Sequence, residues 1–248
     1  MQRTFLSAIF ALAFALPVFA DDAPRVGIVL TNHTQLGDTG KPTGFYLSEA
    51  AWPWKTFTEA GFEVVWLSPK GGVAHIDPIS LGEEDSASVA FLKTMTKDGH
   101  TVTTNKIEGH DAKSFSAIFV AGGHGTMWDL PQHKPLQKLL AGVYENDGVV
   151  AAVCHGPTAL LNVKLSDGKR LIAGKQVAAF TDAEEEAIGL SKVMPFLLSS
   201  TLESHGAKLV DAEKFTSNVV VSGRLVTGQN AISAEGTAEA VAKLMKTK

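Results

Sequence analysis

Short runs of apolar residues alternate along the chain with longer segments in which apolar residues recur at helical spacing. The first two runs, residues 25–31 and 62–67, flank residues 47–60, whose spacing predicts a helix. An apolar run this short, bounded by polar residues, is typical of a strand buried on both faces of a sheet. The pattern therefore predicts a β-α-β unit with parallel strands.

The same alternation continues through the rest of the chain. It predicts strands at residues 116–121, 148–153, 176–180, 219–221 and 225–227, and helices at residues 136–144, from about 156, and 233–245. This order predicts one α/β domain, a doubly wound and mostly parallel sheet with helices on both faces, as in a flavodoxin-like sandwich. Between residues 71 and 111 the pattern loosens around one helix at 87–97, and we interpret this segment as an insertion or lid.

The amino-terminal twenty residues have the pattern of a signal peptide. Arg3 precedes an uncharged apolar run at residues 5–19, and Val18 and Ala20 occupy the two positions that a signal peptidase inspects. The run is shorter than the ~20 residues that a membrane-spanning helix needs. We therefore predict cleavage after Ala20, a single domain at residues 21–248 that does not associate with membranes, and export to the periplasm or the medium.

Composition excludes several classes of function. The 248 residues are 45% hydrophobic and 19% charged, which suits a folded domain with a sizeable core. The net charge of −4 leaves no basic field for a nucleic-acid partner. Cys154 is the only cysteine, so the chain can form no internal disulfide and no cysteine-rich metal cluster.

Cys154 stands at a predicted turn from a strand to a helix. It follows the all-apolar residues 149–153 and precedes His155, Gly156 and Pro157. Such a turn lifts a side chain to the carboxyl end of the sheet, where open α/β folds bind ligands. The amino end of a following helix favours an anion, so we expect the thiol to ionise more readily than its reference pKa of ~8.5 allows. Cys154 is therefore the candidate nucleophile, and the His155 amide can stabilise an oxyanion.

A second glycine-rich turn follows the predicted strand at residues 116–121. Gly122, Gly123, His124 and Gly125 bring bare backbone close to whatever binds above the sheet, and their amides can donate hydrogen bonds to an oxyanion or a carboxylate. The spacing matches neither a dinucleotide fingerprint nor a phosphate-binding loop. We therefore expect no nucleotide and no other cofactor.

Acid–base partners for the thiol can be proposed from neighbouring positions. His155 adjoins the nucleophile, and none of the eight histidines has the helical spacing of a metal site, so we predict no metal. Glu49 lies near the start of the first predicted helix, among apolar and aromatic residues. A carboxyl there would stay protonated beside a thiolate and donate a hydrogen bond to it. One acid of residues 182–186 could orient His155, and the pattern alone does not say which one.

Residues 151–157, together with 122–126, 180–182, 226–230 and 77–80, resemble the ThiJ/PfpI branch of the class I glutamine amidotransferase-like superfamily. Within that branch the sequence is most similar to the group of heat-shock chaperones and glyoxalase III enzymes. The resemblance covers residues 26–244. It implies a triad of Cys154, His155 and Glu185, with Glu184 and Glu186 as alternatives for the third member. It also implies that Glu49 touches the sulfur, that Gly123 and His155 supply oxyanion amides beside His124, and that the protein is a homodimer.

The function implied by this resemblance is a glyoxalase that needs neither cofactor nor glutathione. Its substrate would be a small 2-oxoaldehyde such as methylglyoxal or glyoxal, converted through a hemithioacetal on Cys154. Two alternatives use the same thiol. One is a holdase chaperone or oxidation sensor in which the sulfur becomes a sulfinate, and the other is a cysteine-dependent peptidase or amide hydrolase.

Overall fold

Ten strands and seven α-helices form over residues 23–247, which are the residues that the computed structural model describes. The predicted signal peptide lies outside them. The strands are β1 (Arg25–Val29), β2 (Glu63–Ser68), β3 (Gly72–His75), β4 (Thr101–Lys106), β5 (Ala117–Val120), β6 (Val149–Val153), β7 (Gln176–Val177), β8 (Lys208–Leu209), β9 (Val219–Ser222) and β10 (Leu225–Gly228). The helices are α1 (Leu47–Glu59), α2 (Ser86–Met95), α3 (Thr126–Asp129), α4 (Lys134–Glu145), α5 (Asp182–Ala187), α6 (Leu198–Ser204) and α7 (Ala234–Lys246).

Eight of these strands make the main sheet, in the order β3-β4-β2-β1-β5-β6-β10-β9. The six inner strands are parallel to one another, and the edge strands β3 and β9 are antiparallel to their neighbours. In the centre, Ile28 of β1 pairs with Trp66 of β2 on one side and with Phe119 of β5 on the other. The prediction of a mostly parallel, doubly wound sheet is confirmed.

Two apolar cores cover the two faces of this sheet. Because side chains alternate between faces along a strand, Ile28 and Val29 enter different cores although they are neighbours in the chain. Ile28 lies in the core that includes Phe57 of α1 and Val241 of α7, whereas Val29 shares its core with Leu140 of α4. All five of these side chains are fully buried, which explains why the central strands are almost uninterrupted runs of apolar residues.

The sheet order reverses at β1. The chain moves from β1 to β2 on one side and later returns to place β5 and β6 on the other side. Open α/β sheets bind ligands at the carboxyl ends of the strands beside such a reversal. Here the segments that follow β1, β5 and β6 come together at the carboxyl ends of these strands, and they carry the candidate residues.

The segment predicted to be an insertion or lid is instead built into the sheet. Its strands β3 and β4 extend the sheet beyond β2, and α2 packs on α1. Asp77, in the same segment, accepts a hydrogen bond from the Thr43 hydroxyl at 2.7 Å. The hydrophobic pattern did not predict these strands, because β4 is polar and β3 is exposed on most of its length.

Two further elements differ from their predictions. The strand expected at residues 176–180 contributes only Gln176–Val177, and these pair with Lys208–Leu209 in a separate two-stranded sheet. In the main sheet, the neighbour of β6 is β10. The helix expected from residue 156 is a 3₁₀ helix, Gly156–Leu160.

No helix among residues 23–247 combines the length and the apolar character that crossing a bilayer would require.

The contribution of α2 to the core can be tested with Phe91→Ala. Phe91 is fully buried and packs edge-to-face on Trp54 and Trp66, with ring centroids 5.7 and 5.5 Å away. Losing this ring should lower the free energy of unfolding by about 3–5 kcal/mol, measured by denaturant titration. Val89, which is 53% exposed on the same helix, provides the control, because Val89→Ala should change stability by less than about 0.5 kcal/mol. Equal effects of the two substitutions would mean that the segment is a separate lid.

Candidate active site

Cys154 occupies a strained turn directly after β6. Its φ of 59° lies in the left-handed region, which residues other than glycine rarely adopt. Backbone hydrogen bonds on both sides fix it, since the Cys154 amide donates to the Gly228 carbonyl and its carbonyl accepts from the Phe180 amide, each at 2.9 Å. The side chain is 4% exposed. The turn therefore holds the sulfur in one place, at the carboxyl end of the sheet, as the sequence predicted.

A chain of polar contacts leads from the sulfur to a carboxylate. Cys154 Sγ lies 3.3 Å from His155 Nδ1, and His155 Nε2 lies 2.7 Å from Glu185 Oε2. The other Glu185 oxygen lies 3.2 Å from His124 Nε2. Sulfur, imidazole and carboxylate thus have the order and the distances of a nucleophile, a base and an orienting acid.

The neighbours of Glu185 are directed elsewhere. The Glu184 carboxylate accepts hydrogen bonds from Thr181, Phe215 and Asn230, and Glu186 is exposed. Of the three glutamates that the sequence left open, Glu185 is the one that contacts His155. Helical geometry explains the difference, since adjacent residues of α5 point in different directions.

The protonation states in this chain follow from burial and hydrogen bonding. Burial alone would raise the pKa of Glu185, but the hydrogen bonds and charges of His124 and His155 outweigh it and hold the pKa at about 2. Burial, followed by the charge of His124, lowers the pKa of His155 to about 4. At neutral pH, Glu185 is ionised and His155 is neutral. An ionised carboxylate only accepts hydrogen bonds, so His155 carries its proton on Nε2, and Nδ1 is left to accept the thiol proton.

Glu49 contacts the site from the first turn of α1. Its side chain is fully buried, and its Oε2 accepts a hydrogen bond from the Gly122 amide at 2.7 Å. Its Oε1 is also buried and has no hydrogen-bond partner among residues 23–247. Burial is the main reason that the pKa of Glu49 rises to about 8, and the Cys154 thiol and the Gly122 amide oppose that rise. Glu49 is therefore protonated at neutral pH, as its apolar sequence context suggested.

The thiol itself differs from its prediction. Burial raises the pKa of Cys154, the negative charge of Glu49 raises it further, and only the His155 amide opposes them. The expected effect of an α-helix dipole is missing because Gly156–Leu160 is one short 3₁₀ helix, which aligns few peptide groups. The expectation of a readily ionised thiol was wrong. The resting sulfur is a neutral thiol that needs a base, and His155 Nδ1 is within reach.

The glycine-rich loop after β5 packs against the backbone on either side of Cys154. Gly123 has a φ of 94°, and a Cβ there would lie 2.4 Å from the Gly44 carbonyl oxygen. A Cβ on Gly122 would lie 2.5 Å from Glu49 Oε2 and 2.8 Å from the His155 nitrogen. Only glycines fit this approach. The Gly123 amide donates to no other residue within 23–247, so it is available to an oxygen bound beside Cys154.

Sequence reasoning missed one wall of the site. Glu83 accepts hydrogen bonds from the Ser48 amide and hydroxyl at 3.1 and 3.2 Å. Burial and the charges of Glu83, Glu49 and Cys154 all raise the pKa of Tyr46. The Tyr46 amide donates to the Gly122 carbonyl at 3.2 Å, which places this residue against the glycine-rich loop. Only the assignment of Glu83 to the sheet-forming segment, and not to a lid, could have revealed the contact.

The same histidines could in principle hold a metal ion. One ligand atom each from His124, His155 and Glu185 lie within 4.8 Å of one another. In the structure, however, these atoms are joined by two histidine–carboxylate hydrogen bonds. A bound metal would have to replace both, and it would take away the partner that orients His155.

Comparison with known proteins identifies the family and the fold. The model of the DJ-1/PfpI family matches residues 42–244. Glyoxalase 3 of Candida albicans is 33% identical over 230 residues, which cover 88% of this chain and 96% of that protein. A glutathione-independent glyoxalase of Schizosaccharomyces pombe is 36% identical over 220 residues, which cover 84% of this chain and 90% of the relative. The crystal structure of glyoxalase III from Candida albicans superimposes with a TM-score of 0.82 at 29% identity, over 91% of this chain and 98% of that one.

These relatives also correct the predicted location. The matching yeast glyoxalases are cytosolic enzymes, so the prediction of a periplasmic or secreted protein is wrong.

The protonation of the thiol can be measured directly, because Cys154 is the only cysteine. The rate of iodoacetamide alkylation should rise with pH to a midpoint above the ordinary thiol value of ~8.5, since burial disfavours the thiolate. Glu49→Gln should move this midpoint to lower pH, because it removes a negative charge that raises the thiol pKa. Glu186, the exposed residue next to Glu185 in α5, gives a control. Glu186→Gln should leave the midpoint of the alkylation rate unchanged. A wild-type midpoint below pH 7 would instead show a resting thiolate.

Proposed function

The chain belongs to the DJ-1/PfpI family, and from this premise we propose that it is a glutathione-independent glyoxalase. It converts methylglyoxal or glyoxal and one molecule of water into the corresponding 2-hydroxy acid, and the chemistry needs no cofactor. The relatives that match most of the chain carry this activity in their names.

One observation carries the proposal, namely the buried Glu49 carboxyl that stays protonated beside the sulfur. Hydrolysis of an amide needs a nucleophile, one base and oxyanion donors. A glyoxalase needs more, because it must also move a proton from one carbon of the substrate to its neighbour. A second acid–base group beside the sulfur, with a pKa of about 8, supplies that capacity in addition to His155.

The first step adds the thiol to the substrate aldehyde. His155 Nδ1, which lies 3.3 Å from Sγ, takes the thiol proton as the sulfur bonds to the aldehyde carbon. The amides of Gly123 and His155 stabilise the oxygen that becomes negative. That oxygen then receives the proton from His155, which completes a hemithioacetal and returns the imidazole to its neutral form.

The second step rearranges the hemithioacetal. His155, neutral again after the first step, removes the proton from the carbon bonded to sulfur, the protonated Glu49 carboxyl donates a proton to the neighbouring oxygen, and an enediol forms. Return of a proton to the neighbouring carbon gives a thioester of the 2-hydroxy acid. The carbon bonded to sulfur is oxidised and its neighbour is reduced, so no outside oxidant is required. Water then hydrolyses the thioester, which releases the acid and restores the thiol.

Loss of the sulfur should abolish this activity. In Cys154→Ala, consumption of methylglyoxal in the absence of glutathione should fall by more than the ~10²–10⁴-fold that one acid–base group contributes, because the covalent intermediate cannot form. The assay should follow 2-oxoaldehyde loss and resolve D- and L-lactate chromatographically. His133, outside the site at the start of α4, supplies a control, and His133→Ala should retain turnover. Unchanged turnover in Cys154→Ala would end the enzyme proposal.

The orienting role of Glu185 gives a separate test. Glu185→Gln keeps the size of the side chain but removes the charge that fixes the proton of His155 on Nε2. We expect kcat/KM for methylglyoxal to fall by about 10²–10⁴-fold, because the base is then presented in the wrong tautomer for much of the time. Glu186→Gln, an exposed position on the same helix, should change kcat/KM by less than about twofold. Equal kinetics of the two variants would remove Glu185 from the mechanism.

A further inference from the structure

A row of aromatic rings leads from the site to solvent. The Phe180 ring lies 4.5 Å from the His155 ring and 6.3 Å from the His124 ring, measured between centroids. On its other side lies Phe215, with ring centroids 6.4 Å apart. Exposure increases outward, from 1% at His155 through 7% at Phe180 to 43% at Phe215. The row gives the site an apolar flank that ends at the surface.

Phe215 is held in an unfavourable backbone conformation. Its φ is 58°, in the left-handed region, where a bulky aromatic residue is a clear outlier. A strained residue persists only where its surroundings fix it, and such residues gather at functional sites. Burial does not explain the strain, because the ring remains 43% exposed.

Buried polar groups fix this conformation. The Phe215 amide donates to Glu184 Oε1 at 2.8 Å, and Asn230 Nδ2 donates both to that oxygen at 2.9 Å and to the Thr216 carbonyl at 2.8 Å. Glu184 is fully buried, yet its hydrogen bonds lower its pKa, so it stays ionised. A buried carboxylate thus serves to present one exposed ring. Its neighbour in α5 is Glu185, so the ring and the acid that orients His155 are positioned by the same helix.

We propose that Phe215 is a specificity-determining residue, whose ring packs against the carbon substituent of a 2-oxoaldehyde bound to Cys154. This inference rests on the proposed function and names its substrate class, which is 2-oxoaldehydes with an aryl or branched alkyl substituent. The substituent extends from the sulfur along His155 and Phe180 and is covered by Phe215. Glyoxal has no substituent, so it gains nothing from the ring.

The substituent dependence of turnover tests the proposal. Phe215→Gly removes the ring and also relieves the backbone strain, because glycine adopts this φ freely, so the variant should fold. Its kcat/KM for phenylglyoxal should fall about tenfold, mostly through KM, while its kcat/KM for glyoxal stays within about twofold of wild type. Phe215→Tyr keeps the ring and should keep the preference. Val221→Ala, which shortens an exposed apolar side chain on β9, is the matched control and should match wild type.

Two kinetic outcomes would overturn the proposal. An unchanged ratio of phenylglyoxal to glyoxal kcat/KM in Phe215→Gly would show that the ring does not contact the substituent. An equal loss for both substrates would show that Phe215 supports His155 through Phe180 and does not select substrates.

Alkylation of the single cysteine provides a readout that does not depend on turnover. The ratio of Cys154 alkylation rates with N-phenylmaleimide and N-methylmaleimide should be several-fold lower in Phe215→Gly than in wild type or Phe215→Tyr. If wild type consumes no 2-oxoaldehyde, the proposed function fails, and this ratio still decides whether Phe215 binds an aryl group beside the sulfur. A ratio that is the same in all variants would refute that binding.

Discussion

The backbone of Cys154 is the constraint on which the site depends. Two hydrogen bonds, to Gly228 and from Phe180, hold the residue at a φ of 59°. In this conformation the sulfur lies 3.3 Å from His155 Nδ1 and beside the Glu49 carboxyl. A relaxed conformation would redirect the side chain and separate it from both partners. The surrounding sheet supplies the rigidity, since β6 is fully buried and paired on both edges.

Two buried glutamates illustrate how environment divides roles between identical side chains. Glu185 contacts two histidines and has a pKa of about 2, whereas Glu49 receives one amide hydrogen bond among apolar groups and has a pKa of about 8. One is therefore a permanent anion that orients a base, and the other is a proton donor at neutral pH. The neutral thiol fits this division, because a thiolate and an ionised Glu49 would repel each other in a buried site.

The sequence revealed the parts of this structure that depend on local pattern. The buried parallel strands are recognisable in the sequence as apolar runs, and residues 154–157 indicate the turn that holds the nucleophile. Strands β3 and β4 escaped prediction because partly exposed, polar strands lack that signal. The thiol pKa and the hydrogen bonds between Ser48 and Glu83 also escaped it. Both depend on burial and on neighbours brought together across the fold, which a linear pattern does not encode.

The position of the site within the sheet determines which partial unfolding events disrupt the site. The strands that carry it, β1, β5 and β6, are the fourth, fifth and sixth of eight, and both antiparallel strands lie at the margins. Fraying of a sheet starts at its margins, where strands have one neighbour and exposed backbone. Partial openings of β3 or β9 thus leave Cys154 and its partners in register. The slowest amide exchange in the molecule should map to the same strands that hold the chemistry.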